Sequence, residues 1–413
     1  MTHETPETML AGTSTVLAAG LPLYLPVPGG SPWPKPRPVG EPLHVISSHL
    51  AARLSLLAGD LASADTPTPA YVQCELRLLA DLAAACIQRA RGTIAALASS
   101  YSRQTSDRVM IEVLAPVLPW PTIERYLAYD RYFNVLRIGH MTDEEMLAQV
   151  LVISERLLAD LPYTFLARDE LESLLMGLSI MISGDGAVME GHRQPPETTP
   201  PSQITDCRDQ DQLYRWIVGH HVFMLVTGYC RCALDTGLER TLDDDVCAQQ
   251  IGIAGSLLRA STAAMWYASD MGPEVYMNHV RPSMPAGGFS GEHNSDHVLL
   301  RSSKDRLVRA ATAIAKGHDC SWGHGALSNT ERFLEIDIED SEAHVLLAAS
   351  KVGRQASLAQ DAAAGEQARP QTTAVDMLRA IGKHKQSVSA AFFRSQLKKS
   401  GNPHPGGGNA NVE

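Results

Sequence analysis

The residues best suited to chemistry in this 413-residue chain lie in two places. The first is the stretch from Gly272 to His297, GPEVYMNHVRPSMPAGGFSGEHNSDH, and the second is a single histidine 47 residues further on, His344 in SEAHVLLAASK. In the first, Pro282 and Pro285 fix φ and remove amide donors, while Gly287, Gly288 and Gly291 permit backbone conformations that bring main-chain N–H groups close to a ligand. Such a segment suits wrapping a small molecule. Arg281 offers a bidentate fork for a carboxylate; a structural salt bridge to one of the nearby acids accounts for it equally. His344 falls in an Ala/Leu-rich helical pattern in which Asp340, Ala348 and Lys351 share its face, with Leu334, Ile338, Val345 and Val352 on the other. Neutral imidazole is a good donor to a transition metal, and its second nitrogen can be oriented by a carboxylate or a carbonyl. A lone histidine in a helix is otherwise a satisfied core or surface residue, so its assignment as a donor depends on reading both segments together.

Together the two segments resemble the heme-binding half of the histidine-ligated, heme-dependent aromatic oxygenases, the superfamily of tryptophan 2,3-dioxygenase, monodechloroaminopyrrolnitrin synthase and the heme-dependent tyrosine hydroxylases. The resemblance is nearest to the tyrosine hydroxylase branch and covers about residues 210–355. V-R-P-S-M from Val280, F-S-G from Phe289 and S-D-H ending at His297 carry it. It implies an all-α, multi-helix heme-binding domain of the tryptophan 2,3-dioxygenase type, with His344 as the proximal iron ligand and Ala348 small enough, one turn along, for a porphyrin to approach. Some relatives carry H-x-x-x-C, whose cysteine forms a thioether to a heme vinyl; Ala348 stands at that position here, so non-covalent heme b is expected. His297 resembles a histidine that supplies a second axial ligand in one relative. In that role it must leave before oxygen or peroxide binds, and otherwise it contacts a propionate or the substrate, with His293 a substitute in either role. Arg281, Ser283, Tyr276, Phe289 and Ser290 are the expected substrate contacts. The implied reaction is hydroxylation of the ring of an aromatic amino acid, tyrosine or a derivative, by oxygen or peroxide in secondary-metabolite biosynthesis. Indole-directed dioxygenation or rearrangement, a non-catalytic heme carrier or sensor, and a cofactor-free helical interaction protein stand as alternatives.

Other histidines offer weaker chemistry. His220 and His221 sit in an apolar helical run, where at least one must reach a partner, a backbone carbonyl or a heme contact. His318, Cys320 and His324 in GHDCSWGH look like metal ligands, but no second cluster completes a tetrahedron, so zinc is not expected. His44 or His49 is a topological candidate for the distal side. Trp266, Tyr267, Tyr276 and Phe289 surround the motif and suit a planar substrate or an ordinary core.

The elements that must position these residues read as helices. Apolar spacing starts at His44, and a second helix runs from Ala70 to about Ser99 after the TPTP break at Thr66 to Pro69. Residues 106–140 read as a strand or a kinked buried segment. Thr142 with Glu145 forms a capping box opening a helix over 143–160, followed by another over 167–182. Helical blocks follow over 208–268, 294–316 and 328–354, with Asp296 a candidate cap for the second, and a last amphipathic helix fits 373–399. The expected organisation is a Pro/Gly-rich extended arm over 1–42, ordered only against a partner surface; a helical half over 43–205 with a long loop at 183–205; a heme- and substrate-binding half over 206–355; and a linker, helix and tail over 356–413. Few windows alternate with period two, which makes the fold class all-α.

Composition narrows the partners. With 46 acidic against 35 basic residues the net charge is −11, which disfavours nucleic acid and anionic membranes. Seven cysteines without C-x-x-C spacing read as reduced thiols. Met1 to Met9 carries Glu4 and Glu7 and no Lys or Arg, unlike a secretory leader, and Arg215 and Arg231 bracket the most apolar run, so a soluble, cytoplasmic protein with no membrane segment is expected. Homodimerisation is left open.

Overall fold

The computed structural model describes residues 22–28, 42–63, 67–184, 209–239, 244–284, 294–315 and 323–352, and separate positions between 376 and 386. The fold is all-α, apart from one two-stranded sheet among the described residues. Its elements are β1 (Leu23–Pro26), α1 (Pro42–Ala62), α2 (Pro69–Ser100), α3 (Arg103–Leu114), α4 (Trp120–Tyr132), β2 (Val135–Ile138), α5 (Asp143–Asp160), α6 (Arg168–Ser183), α7 (Asp209–Gly237), α8 (Asp244–Ala268), α9 (Ser295–Ala315) and α10 (His324–Val352). Helix starts follow local chemistry. Thr68 and Ser102 cap α2 and α3, and Thr142 with Glu145 closes the expected capping box on α5.

α7 is the central helix, packed on α8, which also carries α6 and α10 on its other faces, while α9 lies against α7. On the far side α2 covers α5 and α1 covers α6. By length and composition Leu213–Gly237 is apolar enough to cross a membrane, contrary to the sequence expectation, and 89% of its apolar window is buried inside the fold. That burial accounts for the composition: even Arg215 is only 1% exposed. Close helix contact at two points requires glycine. A Cβ on Gly219 of α7 would stand 2.5 Å from the Cβ of Ala268 and 2.7 Å from its Cα, and one on Gly177 of α6 would collide with Ala260.

Residues 106–140, ambiguous in the sequence, resolve into most of α3, then α4 and β2. Proline at the start of α4 is tolerated because the first-turn amides lack helical partners anyway. Asn134 makes the turn into β2 with φ 51°, a left-handed conformation that asparagine adopts more readily than most residues. β1 comes from the arm and pairs in parallel with β2, Leu23 opposite Val135 and Leu25 opposite Arg137. The partner surface that the arm was expected to need is therefore in the same chain, at least for residues 22–28. Tyr24 N–H donates to Gln149 Oε1 of α5 at 3.0 Å, which satisfies an amide of β1 outside the strand pairing.

The segment after α8, rich in proline and glycine, is helical as far as it is described. A turn at Pro273–Val275 runs into a π-helical turn at Tyr276–Val280 and a last turn at Arg281–Ser283. π turns insert an extra residue into the helical ladder and occur often at functional sites.

Candidate functional site

An ion pair between α9 and α10 fixes how the two histidine-bearing helices face each other. Lys304 Nζ lies 2.5 Å from Asp337 Oδ1. α9 runs with α7, since His297 faces Phe223 and Ser303 bonds Asp235; α7 runs against α8, with Gly219 at Ala268 and Gly237 at Ile251; and α10 runs with α8, with Asn329 beside Gly252 and Asp340 bonded to Thr262. The helices therefore run in opposite senses. His297 lies seven residues before Lys304 and His344 seven residues after Asp337, so both fall at the same end of the pair, about 10 Å along the axis from the bridge. Two turns return each histidine to the face of its helix that carries the bridge.

His344 is half-buried. Its Nδ1 lies 2.7 Å from the carbonyl of Asp340 and 3.4 Å from Asp340 Oδ1, and Nε2 has no partner among the described residues. With Nδ1 occupied as a donor, the lone pair sits on Nε2, the arrangement a metal-bound histidine takes. Asp340 also accepts the Thr262 hydroxyl at 2.7 Å. Burial alone would push the Asp340 carboxyl up, but His344 when protonated, Lys304 and Lys385 outweigh it and hold it below the usual carboxylate range. The face shared by Asp337, Asp340 and His344 is turned inward, with Phe333, Ile336, Ser341 and Leu347 buried alongside. Ala348 is half-buried one turn on.

The start of α9 is tied to the N-terminal half. Asn294, not Asp296, caps the helix: its Oδ1 accepts the amides of Asp296 at 2.9 Å and His297 at 3.3 Å, and its Nδ2 reaches Tyr129 Oη at 3.4 Å. Asp296 instead binds Arg137 Nη1 at 2.8 Å. Arg137 is fully buried in β2; its Nε and Nη2 clasp Asp130 at 2.9 and 3.0 Å, and its Nη1 lies 3.3 Å from the carbonyl of Pro26. His297, half-buried, faces Phe223 with ring centroids 6.0 Å apart.

The π turn rests on an aromatic platform. Tyr276 meets Trp216 edge-on at 6.0 Å, Trp216 packs on His220, and His220 stacks on Phe133 at 4.2 Å and 14°. Tyr132 and Ser283 share a 2.7 Å hydrogen bond, and the Ser283 hydroxyl also lies 2.7 Å from the carbonyl of Val280. Arg281 is close enough to favour the ionised form of Tyr276, although burial raises that phenol. At the head of the segment, Arg215 binds Asp160 at 2.7 Å, Asp270 at 3.3 Å and the Tyr163 carbonyl at 2.8 Å, and Tyr267 donates to Asp160 at 2.9 Å. Tyr267 therefore belongs to this anchor and not to the motif's surroundings.

Of the residues singled out in the sequence, Tyr276, Arg281, Ser283 and His297 gather along the π turn and α9, with His344 and Ala348 on the facing helix. Phe289, Ser290 and His293 lie outside the described residues, as do His318, Cys320 and the side chains of His44 and His324. His49 is exposed on α1. His220 and His221 are both buried and bonded to carbonyls, Trp216 O at 2.7 Å and Phe133 O at 2.5 Å; burial pushes them down to about 3 and about 4, so both are neutral. Tyr132, Phe133, Trp216, Arg137 and Lys304 escaped sequence reading. Only the spacing of Asp337, Asp340 and His344 on one helical face offered a signal.

The donor set suits a heme: an imidazole with one nitrogen fixed and the other available, a small residue one turn along, and a second histidine at the same end of an adjacent helix. This defines a helical protein with a histidine-based site beside an aromatic platform. The chain belongs to the SfmD 3-methyl-L-tyrosine peroxygenase family, whose profile matches residues 48–320. Heme is the cofactor expected of a member. The matched residues stop short of His344. The 3-methyl-L-tyrosine peroxygenase of Streptomyces lavendulae is 34% identical over 97 residues, 22% of this chain and 27% of the relative, so the match spans about a quarter of that protein's length. A crystal structure of reduced SfmD, obtained by soaking with sodium hydrosulfite, is 18% identical with a TM-score of 0.44, covering 80% of this chain and 98% of the other.

Proposed function

We propose that this protein is a heme-dependent oxygenase that hydroxylates the ring of tyrosine or a ring-substituted tyrosine, with peroxide as oxidant. The observation that carries the reading is His344: Nδ1 is held by the Asp340 carbonyl and Nε2 is left available at the end of α10 shared with His297. Membership of a family described as a 3-methyl-L-tyrosine peroxygenase supports this choice of substrate class and oxidant. The balance is simple: one oxygen atom of hydrogen peroxide replaces a ring hydrogen as hydroxyl, and the other leaves as water. Heme, when bound, supplies the oxidising chemistry.

The chain's own residues do the rest. His344 would hold the group without a covalent link, since Ala348 stands where a thioether cysteine would be. Arg281 offers a bidentate partner for the amino acid's carboxylate. Tyr276 and the platform behind it, Trp216 and Phe133, favour a planar ring and exclude water. Ser283 is committed to Tyr132 and Val280, so its part is to latch the π turn to α4. His297 is the gating or proton-handling group.

The test is an absorption spectrum of the purified protein followed by reaction. Wild type should show a Soret band that shifts with 3-methyl-L-tyrosine, and with peroxide should release a product heavier by one oxygen. His344→Ala should lose the band while keeping its helical circular dichroism. A kynurenine-type product would move the protein to indole chemistry, and a colourless protein that ignores added heme would end the reading.

A further inference from the structure

α10 carries two buried carboxylates on the face of His344, Asp337 and Asp340. Buried anions persist only where cations and hydrogen bonds compensate them. One compensating cation is Lys304 of α9. Another comes from the C-terminal residues beyond α10. Lys385 Nζ lies 3.0 Å from Asp337 Oδ1, 3.3 Å from the Asp337 carbonyl and 4.0 Å from Asp340 Oδ2. Its neighbours dock on the same helix: Gln386 bonds Glu342 at 3.2 Å, and a Cβ on Gly382 would lie 3.8 Å from that of Ser341. Lys385 thus meets the carboxylates beside two further described residues that lie on α10, Gly382 and Gln386.

We propose that Lys385 is a positioning residue of the heme site, through which the C-terminal segment sets the charge behind His344 and hence the reduction potential of the bound iron. The inference rests on His344 as ligand. Asp337 and Asp340 face Lys304 and Lys385, two charges against two. Without Lys385, one net negative charge stays behind the imidazole. With Asp340 Oδ1 3.4 Å from Nδ1, that charge makes the imidazole donate more electron density, and ferric iron gains over ferrous. The potential falls. Lys385, with a side chain 27% exposed, can be replaced without opening the core.

The test is a redox titration of the Soret band in the full-length, heme-loaded protein. Lys385→Gln should lower the midpoint potential and Lys385→Arg should restore it. An unchanged or raised potential in Lys385→Gln at normal heme content overturns the proposal. Loss of heme from both variants does so too, because the residue then serves folding and not tuning. His344→Ala, run alongside, keeps the two ideas apart: if it retains the wild-type band, the ligand assignment itself is wrong.

Discussion

Replacing Arg137 by methionine should cost nearly as much stability as one substitution can remove. Its guanidinium makes three carboxylate contacts of 2.8 to 3.0 Å, two to Asp130 and one to Asp296, and both acids are 3% exposed. Breaking a buried ion pair costs about 3–5 kcal/mol, chiefly through the charge left behind. Here one substitution orphans two carboxylates, so we expect about 5 kcal/mol, comparable with the whole stability of a marginal domain. Urea unfolding would measure it. The deficit should shrink on acidification: burial already raises Asp130, Arg137 opposes that rise, and without it the acid is protonated at higher pH and ceases to be a buried charge. A loss below about 1 kcal/mol, or one that does not change between about pH 8 and pH 5, would refute the argument. A companion variant separates stability from position. Arg137→Met with Asp130→Leu and Asp296→Leu replaces the whole triad by apolar side chains and should recover most of the stability. It also cuts the tether on the start of α9, so its heme-loaded form should differ from wild type in iron spin state.

Gly219→Ala should destabilise the protein by about 2 kcal/mol: a helix-propensity gain near 1 kcal/mol is outweighed by overpacking, because the new methyl meets backbone of Ala268 that cannot swing aside. A raised urea midpoint would mean that α7 and α8 do not approach this closely. Glu170→Gln should stabilise the protein by about 1–2 kcal/mol at pH 8 and leave it nearly unchanged near pH 5. Burial lifts the Glu170 carboxyl to about 7, so the favourable state is complete below about 4.5 and is lost as pH rises through 7, and the magnitude is discounted for partial exposure. Equal stability of both proteins at pH 8 would contradict it.

Much of this architecture was legible in the sequence. The capping box of α5, the TPTP break before α2 and the reach of α9 are local signals, and local signals survive folding. The segment 106–140 was not legible, because its two helices are short and interrupted by proline, and β2 owes its existence to β1 more than 100 residues away. The face of α10 was read from its apolar residues, whereas Asp337 and Asp340 point inward because cations from α9 and the C-terminal segment meet them. Asp296 looked like a helix cap by position; the guanidinium that claims it lies in a distant strand. Asp296, Asp337 and Asp340 are all charged and buried, and a sequence gives no sign of the distant partner that makes such burial tolerable. Ser283 has a distant partner of the same kind: its hydroxyl shares a hydrogen bond with Tyr132 across 151 positions of chain.

The parallel pairing of β1 with β2 also bears on how the chain is made. Leu23 and Val135 are 112 positions apart in register, so at roughly 5–20 residues per second a ribosome needs about 6–22 s to synthesise what lies between them. During that interval a strand carrying Tyr24 and two leucines has no edge to join, and the carbonyl of Pro26 has no Arg137 to bond. Long-range parallel pairing is slow in any case. The arm should therefore be the part of the nascent chain most open to chaperones and to mispairing with another copy, and its docking the late step that seals Arg137 inside.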